Sequence, residues 1–146
     1  MNRVDYQADF YAWTQQQAEL LRNKEIEQID WGNLAEEIED MGRSEKRQLE
    51  NRLEVLIMHL LKWQFQPNLR SRSWQLTIKE QRLRINKLLS ENPSLKPKLA
   101  ETREKIYPLA IISAEKETGL SLFPETCPYE LEEILASEFL PDGNSN

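Results

Sequence analysis

The sequence predicts an all-α fold, a helical bundle of four main helices with several shorter ones. Good helix formers, chiefly Glu, Gln, Leu, Lys, Arg and Ala, dominate the 146 residues, and only four glycines interrupt them. Apolar residues recur at helical spacing, whereas the alternation of β-branched side chains that is typical of strands is absent. These observations place the hydrophobic core between helices rather than on a sheet.

The first third of the chain predicts two helices. The first runs from about Asp5 to Arg22, with Asp5 as its N-cap and an aromatic-rich face. The second runs from about Asp30 to Met41 and ends at Gly42, because glycine is the residue type that most often follows a helix. The inner stripe of this second helix is expected to be Trp31, Leu34, Ile38 and Met41.

The predicted centre of the bundle is a third helix from about Ser44 to Phe65, which Pro67 ends. Its apolar residues recur at alternating steps of four and three, which is the seam of a helix that packs on a neighbour. Its second half is apolar nearly all round, as expected for a helix surrounded by others. The seam consists of Leu49, Leu53, Leu56, Leu60 and Trp63.

Three further helices are predicted in the second half of the chain. One is capped by Ser73 and spans about 74–90. The next begins after Ser94 and ends at Gly119, and a last short helix spans about 129–138.

Length and cysteine content indicate one soluble domain in a reducing compartment. The chain length is common for a single domain, and the lone Cys127 excludes an intrachain disulfide. The N-terminus has no apolar leader, and the most apolar window, 53–65, is shorter than the about 20 residues of a membrane helix. We expect a cytoplasmic domain over 1–146 without membrane contact, with disordered ends at about 1–4 and 141–146.

The net charge of −6 is unevenly distributed. Residues 25–45 contain eight acids and one base, residues 62–87 contain seven bases and one acid, and residues 115–142 contain eight acids and one base. The overall negative charge gives no global attraction to nucleic acid or to an anionic membrane. We expect Arg70 or Arg72 to reach a carboxylate of the acidic second helix, so that the basic segment is neutralised within the fold.

Five segments carry a family resemblance, in the order DFYAWTQQQAELL, LAEEIEDMGRSE, HLLKWQFQP, RSRSWQLTI and CPYELEEIL. Together they resemble a bacterial family, abundant in cyanobacteria, that is known only as domain of unknown function twenty-nine. The resemblance covers the chain from about Asp9 to Pro141. It implies an all-helical fold in a bacterial cytoplasm, and it implies no catalytic residue because the family has no assigned activity.

The only histidine, His59, lies seven residues after Arg52 on the predicted central helix. This spacing resembles a motif of small helical ribonucleases of prokaryotic defence systems, in which the histidine is the acid–base group and the arginine orients the phosphate. Such a role needs an imidazole that titrates near neutral pH and reaches solvent. The alternative is a packed histidine at the edge of the apolar seam, hydrogen-bonded to a neighbour.

The basic segment 62–87 is a candidate for nucleic-acid binding. Arginines can bind phosphates of a single strand while an aromatic ring stacks on a base. Trp74, the aromatic residue between these arginines, shares a helix face with Ile78 and Ile85 and is therefore also a candidate for the core. The candidate binding residues are Arg70, Arg72, Trp74, Arg82 and Arg84.

No pattern for a metal or a cofactor is present. Metal sites in helical bundles use Glu-x-x-His, whereas Leu56 stands three residues before His59 and the acidic run 36–40 has no such partner. There is no glycine-rich phosphate loop. Cys127 precedes a proline at a helix start, where the pKa of a thiol can be lowered, but no histidine is near it in sequence. We expect neither a metal nor a cofactor.

Without a credible active site, the sequence favours a non-enzymatic domain that binds another protein or itself. Leu76 and Leu83 support this, since they lie two turns apart on the side of their helix opposite to its core face. Either the C-terminal helix covers them in a monomer, or they form part of a two-fold interface. Nucleic-acid binding and metal-independent ribonuclease activity stay as alternatives, which leaves open whether the chain is an enzyme.

Overall fold

The computed structural model describes residues 2–142 as two compact units, 2–44 and 45–142. The α-helices are α1 (Phe10–Arg22), α2 (Trp31–Phe65), α3 (Arg72–Glu91), α4 (Leu99–Thr118) and α5 (Leu131–Leu135). Short 3-10 helices lie at Ile26–Gln28, Pro67–Leu69 and Pro93–Lys98. The described residues contain no strand. The all-α class is confirmed, with four main helices and several short ones.

The N-terminal end of the described chain is hydrogen-bonded to α1. The side chain of Gln16 donates to the carbonyl of Asn2 at 2.7 Å and accepts from the N–H of Val4 at 2.9 Å. The predicted disorder at Met1 and at 143–146 lies outside the described residues.

Helix α1 begins later than predicted, because its N-cap is Asp9 and not Asp5. The carboxylate of Asp9 accepts from the N–H of Ala12 at 3.0 Å, which satisfies one of the donors left free at a helix start. Asp5 instead closes a separate turn, in which its side chain accepts from the N–H of Gln7. Aspartate supports both arrangements, and the sequence pattern did not distinguish them.

Helix α2 is continuous over 35 residues, so the prediction of two helices separated at Gly42 was wrong. A glycine ends a helix where the backbone turns to positive φ, and among the described glycines only Gly119 does so, with φ 72°. Across Gly42, Arg43 pairs with Asp40 and, at 3.5 Å, with Glu39. Such pairs three and four residues apart support a helix through a weak position.

Serine and glycine mark the ends of α3 and α4. The cap of α3 is Ser71 rather than Ser73, and its hydroxyl accepts from the N–H of Trp74 at 3.2 Å. Helix α4 ends at Gly119 as predicted, but it begins at Leu99, because residues 93–98 form a 3-10 helix that contains two prolines.

The core of the second unit lies between α3, α4 and residues 45–65 of α2. Four of the five residues of the predicted seam of α2 are buried, Leu49, Leu53, Leu56 and Leu60 at 0% exposure, and the fifth, Trp63, is half-buried against the core. Helix α5 adds Ile134, which is also fully buried. The other helices contribute the apolar residues Ile78, Ile85, Leu88, Leu89, Leu99, Ile106, Ala110 and Ala114.

Two buried tyrosines fix the segment between α4 and α5. Tyr107 donates to the carbonyl of Pro124 at 2.6 Å, and Tyr129 donates to the side chain of Gln64 at 2.7 Å. Glu130 and Glu133 form a capping box at the start of α5. A helix of only five residues is therefore held by tertiary contacts rather than by its own hydrogen bonds.

The first unit has a small core built on Trp13, Leu20 and Ile29. The indole N–H of Trp13 donates to Asp30 at 3.0 Å, and Gln17 accepts from the N–H of Asp30 at 2.8 Å. The side-chain amide of Asn33 also donates to Asp30, and this hydrogen bond is the main reason why the pKa of Asp30 lies below its usual range. These polar contacts fix the turn into α2.

Candidate functional site

Arg52 and His59 both lie on α2, about 10.5 Å apart along the helix axis at 1.5 Å per residue. His59 is half-buried, and its Nδ1 lies 2.8 Å from the carbonyl of Val55, to which it donates. Burial lowers the pKa of His59 below its ordinary value, and nearby Lys62 lowers it further. The imidazole is therefore neutral at pH 7, with Nε2 as its free nitrogen.

Arg52 is positioned by α3 rather than by a partner near His59. Its guanidinium donates to the side chain of Gln81 at 3.4 Å and lines a shallow groove with Arg84 and Lys87. His59 does not line that groove. The geometry thus supplies no shared cavity for a phosphate between the two, and the ribonuclease interpretation stays a prediction.

Arg82, a candidate for binding, is used by the fold instead. It is 3% exposed, and it donates to the carbonyls of Ile134 at 2.8 Å and of Glu133 at 3.1 Å. These are carbonyls of the last turn of α5, which have no partner within that helix. Arg82 therefore caps α5 and is not available to a ligand at the surface.

Arg70 and Trp74 also make contacts with other residues of the second unit. Arg70 donates to the carbonyl of Trp63 at 2.7 Å and lies over its ring, with the guanidinium carbon 5.0 Å from the ring centroid. The ammonium of Lys62 lies 4.6 Å from the centroid of Trp74 and pairs with Glu117 at 2.5 Å. The ring of Trp74, the aromatic residue between the candidate arginines, is therefore in contact with an internal cation.

The remaining basic residues form an exposed face on α3. Arg72, Lys79 and Lys87 are exposed on the same side as Leu76 and Leu83, which are 46% and 63% exposed. At 100° per residue these five positions span about 80° of the helix surface. We call them the α3 face. Arg84 lies at its margin and pairs with Glu80 at 3.0 Å.

The expected cover of Leu76 and Leu83 by the C-terminal helix was wrong. Helix α5 turns its apolar residues into the core, where Ile134 is fully buried and Leu131 and Leu135 pack against it. Arg82 also holds the last turn of α5, and Leu76 and Leu83 stay exposed rather than covered by these apolar residues as predicted.

A groove runs along the α3 face, bordered by Ser137, Glu138 and Leu140 from the segment after α5. It has a volume of about 230 Å³, less than the roughly 300–1,000 Å³ of sites that bury a small molecule, and a depression of about 520 Å³ beside it, over Leu76 and Leu83, is wide open to solvent. The groove suits one or two side chains of a partner better than a substrate.

A second exposed apolar surface was not predicted. Trp31, Ile38 and Met41 are 55%, 58% and 61% exposed, and Leu34 is half-buried, although the sequence places all four on an inner stripe. We call these four residues the α2 stripe. The core of the first unit uses α1 and the turn before α2, and it leaves most of this stripe at the surface.

Neither metal nor thiol chemistry finds support among the described residues. No group of three or more His, Cys, Asp and Glu side chains there could hold a metal ion. Cys127 is half-buried, and burial raises the pKa of its thiol, opposite to the shift that activates a cysteine. No α-helix of residues 2–142 is long and apolar enough to cross a membrane.

Comparisons with known proteins identify a family and assign no activity. Neither a curated protein nor a solved structure matches the chain. A model of a protein family described as domain of unknown function DUF29 matches residues 6–140. Since this covers nearly the whole sequence and agrees with the five ordered segments, the chain belongs to the DUF29 family.

Proposed function

We propose that this chain is a protein-interaction domain that self-associates, and that the α3 face is a contact surface of the assembly. The observation that carries the proposal is the exposure of Leu76 and Leu83 on one side of a well-packed helix. Three exposed basic residues lie on the same side, namely Arg72, Lys79 and Lys87. Such a combination of apolar centre and charged margin is typical of protein interfaces.

The energetics support a contact with a larger surface than these leucines alone. Complete burial of a leucine side chain contributes about 1.5–3 kcal/mol, so two half-exposed leucines contribute roughly that much together. A specific interface buries about 1,200–2,000 Å² in total, which the α3 face cannot supply by itself. The assembly therefore needs a second surface.

The basic residues of the α3 face are also the ones that could bind nucleic acid, which is the alternative function. Arg72, Lys79 and Lys87 can contact phosphates, but Arg82 is buried and Trp74 is covered by Lys62, so no stacking platform accompanies them. This arrangement favours a protein partner over a single strand of nucleic acid.

Sedimentation equilibrium of the full chain at micromolar concentration tests the proposal. We expect the wild type to associate and Leu83→Asp to weaken association by at least about 30-fold, a loss of about 2 kcal/mol. The matched control is Leu109→Asp on α4, since Leu109 is 52% exposed and lies outside the α3 face. A monomeric wild type, or equal loss in the control, would contradict the proposal. Shortening the chain at Gly119 is not a suitable test, because α5 belongs to the core.

A further inference from the structure

The charged residues around the α2 stripe are mainly acidic, whereas those of the α3 face are basic. Residues 30–45 contain six acids and a single base, Arg43, which already pairs with Asp40 and Glu39. The α3 face contributes three bases, and of the acids beside it Glu80 pairs with Arg84 and Glu138 borders the groove. The α3 face and the helix segment that carries the α2 stripe thus have opposite charge.

The spacing of the apolar side chains also matches. Leu76 and Leu83 are seven residues apart on α3, as are Trp31 and Ile38, and Leu34 and Met41, on α2. Seven residues correspond to about 10.5 Å along a helix at 1.5 Å per residue. Side chains repeated at this interval on both helices can interdigitate over two turns, as in ordinary helix–helix packing.

We infer that in the self-associated protein the α3 face of one copy packs on the α2 stripe of a second copy. The inference rests on the proposed function, because it names the surface that the α3 face meets. Opposite charges favour this contact, whereas pairing of either surface with its own counterpart would bring like charges together. In a two-fold dimer the contact forms twice, which doubles the area buried by a single contact of this kind.

Mixing two variants tests the inference directly. Ile38→Asp damages the α2 stripe and leaves the α3 face intact, and Leu83→Asp does the reverse. In a sample of either variant alone, both reciprocal contacts contain one damaged surface, so we expect association at least about 30-fold weaker than in the wild type, as for a central interface residue. In a mixture, one contact is formed by two intact surfaces and the other by two damaged ones. Because a contact that is already lost cannot be weakened further, the variants should bind each other about tenfold more tightly than either binds itself.

The measurement is fluorescence anisotropy of one labelled variant titrated with the other, up to a few hundred micromolar. Both positions are exposed, so the far-UV circular dichroism of each variant should equal that of the wild type. Leu109→Asp keeps both surfaces intact and should self-associate like the wild type.

The outcomes separate this inference from the proposed function. Normal association of Ile38→Asp together with loss in Leu83→Asp would overturn the inference while the α3 face stays an interface. Two monomeric variants that fail to complement each other would also overturn it. Normal association of Leu83→Asp would overturn both.

Salt provides an independent readout on the wild type. An increase from about 0.1 M to about 1 M shortens the screening length from about 10 Å to about 3 Å. A contact between surfaces of opposite charge should weaken, by about tenfold or more for several charge pairs. Association that strengthens with salt would indicate surfaces of like charge and would contradict the inference.

Discussion

The two halves of α2 have the same kind of apolar pattern, but one half is buried and the other is largely exposed. In residues 45–65, Leu49, Leu53 and Leu56 are fully buried, whereas in residues 31–44 the side chains of Trp31 and Ile38 are more than half exposed. A helical period of apolar residues therefore shows which face of a helix is apolar, but it does not show whether the same chain or a partner covers that face. A stripe that the same chain covers is core, and a stripe that it leaves exposed is a candidate interface.

The largest difference between the two halves should appear in folding stability. Leu53→Ala leaves a cavity in the core and is expected to lower the free energy of unfolding by about 2–5 kcal/mol. Ile38→Ala removes exposed atoms and places a better helix former, so its effect should stay within about 0.5 kcal/mol.

Urea unfolding followed by circular dichroism measures both free energies. The comparison is made in a Leu83→Asp background, because association would otherwise stabilise the folded state. A cost for Ile38→Ala equal to that of Leu53→Ala would mean that the α2 stripe belongs to the core of the monomer.

The same contrast between buried and exposed positions occurs on α3, where Arg82 is buried and Arg84, two residues later, is exposed. Arg82→Met leaves the carbonyls of Glu133 and Ile134 without their donor, so we expect a loss of about 2–3 kcal/mol in unfolding free energy. Arg84→Met removes only an exposed pair with Glu80 and should cost less than about 0.5 kcal/mol. Equal effects in thermal or urea unfolding would show that Arg82 does not hold α5.

Helical periodicity predicted the fold class and the buried seam of α2 well, because both depend on local spacing. The seam from Leu49 to Leu60 was identified as the centre, and Gly119 as the end of α4. The position of α5 could not be predicted in this way, since it depends on Arg82, 51 and 52 residues earlier than the carbonyls that it binds. Arg82 lies among arginines that look alike in sequence, and only burial distinguishes it.

Glycine illustrates the same limit at the junction of the two halves of α2. The sequence predicted a helix end at Gly42, whereas the backbone continues there without turning. The difference lies in the side chains that follow: Arg43 pairs back onto the preceding turn, and the next helical turns enter the core. The presence of a glycine therefore does not by itself predict a helix end, because these ion pairs and the packing of the following turns also decide whether the helix continues.

Gly42→Ala therefore tests whether α2 is continuous. A Cβ at Gly42 meets open space, and alanine in a helix interior is favoured over glycine, so we expect a gain of about 0.5–1 kcal/mol. Gly119→Ala is the matched control, because its Cβ also meets open space but its φ is 72°, and it should lose about 1–2 kcal/mol. Destabilisation by Gly42→Ala, measured by urea unfolding, would indicate two helices with a turn between them.

The smallest expected effect concerns His59 on the buried half of α2, whose burial makes the folding stability depend on pH. Burial first, and the charge of Lys62 second, lower the pKa of His59 in the folded protein below its ordinary value of 6.5, while Glu117 and the carbonyl of Val55 oppose the shift. The unfolded chain then binds a proton at a pH where the folded chain does not. The stabilising contribution is complete above pH 6.5 and is lost as the pH falls from 6.5 toward the lower folded pKa.

His59→Gln removes this titration and keeps a side chain that can donate to Val55. We expect the wild type to lose more unfolding free energy than the variant between about pH 8 and about pH 5, with carboxylates contributing equally to both. Urea unfolding at a series of pH values gives the difference. A wild type that gains stability relative to the variant on acidification would mean that His59 is charged in the fold, and the acid–base role of a solvent-open imidazole beside Arg52 would then regain support.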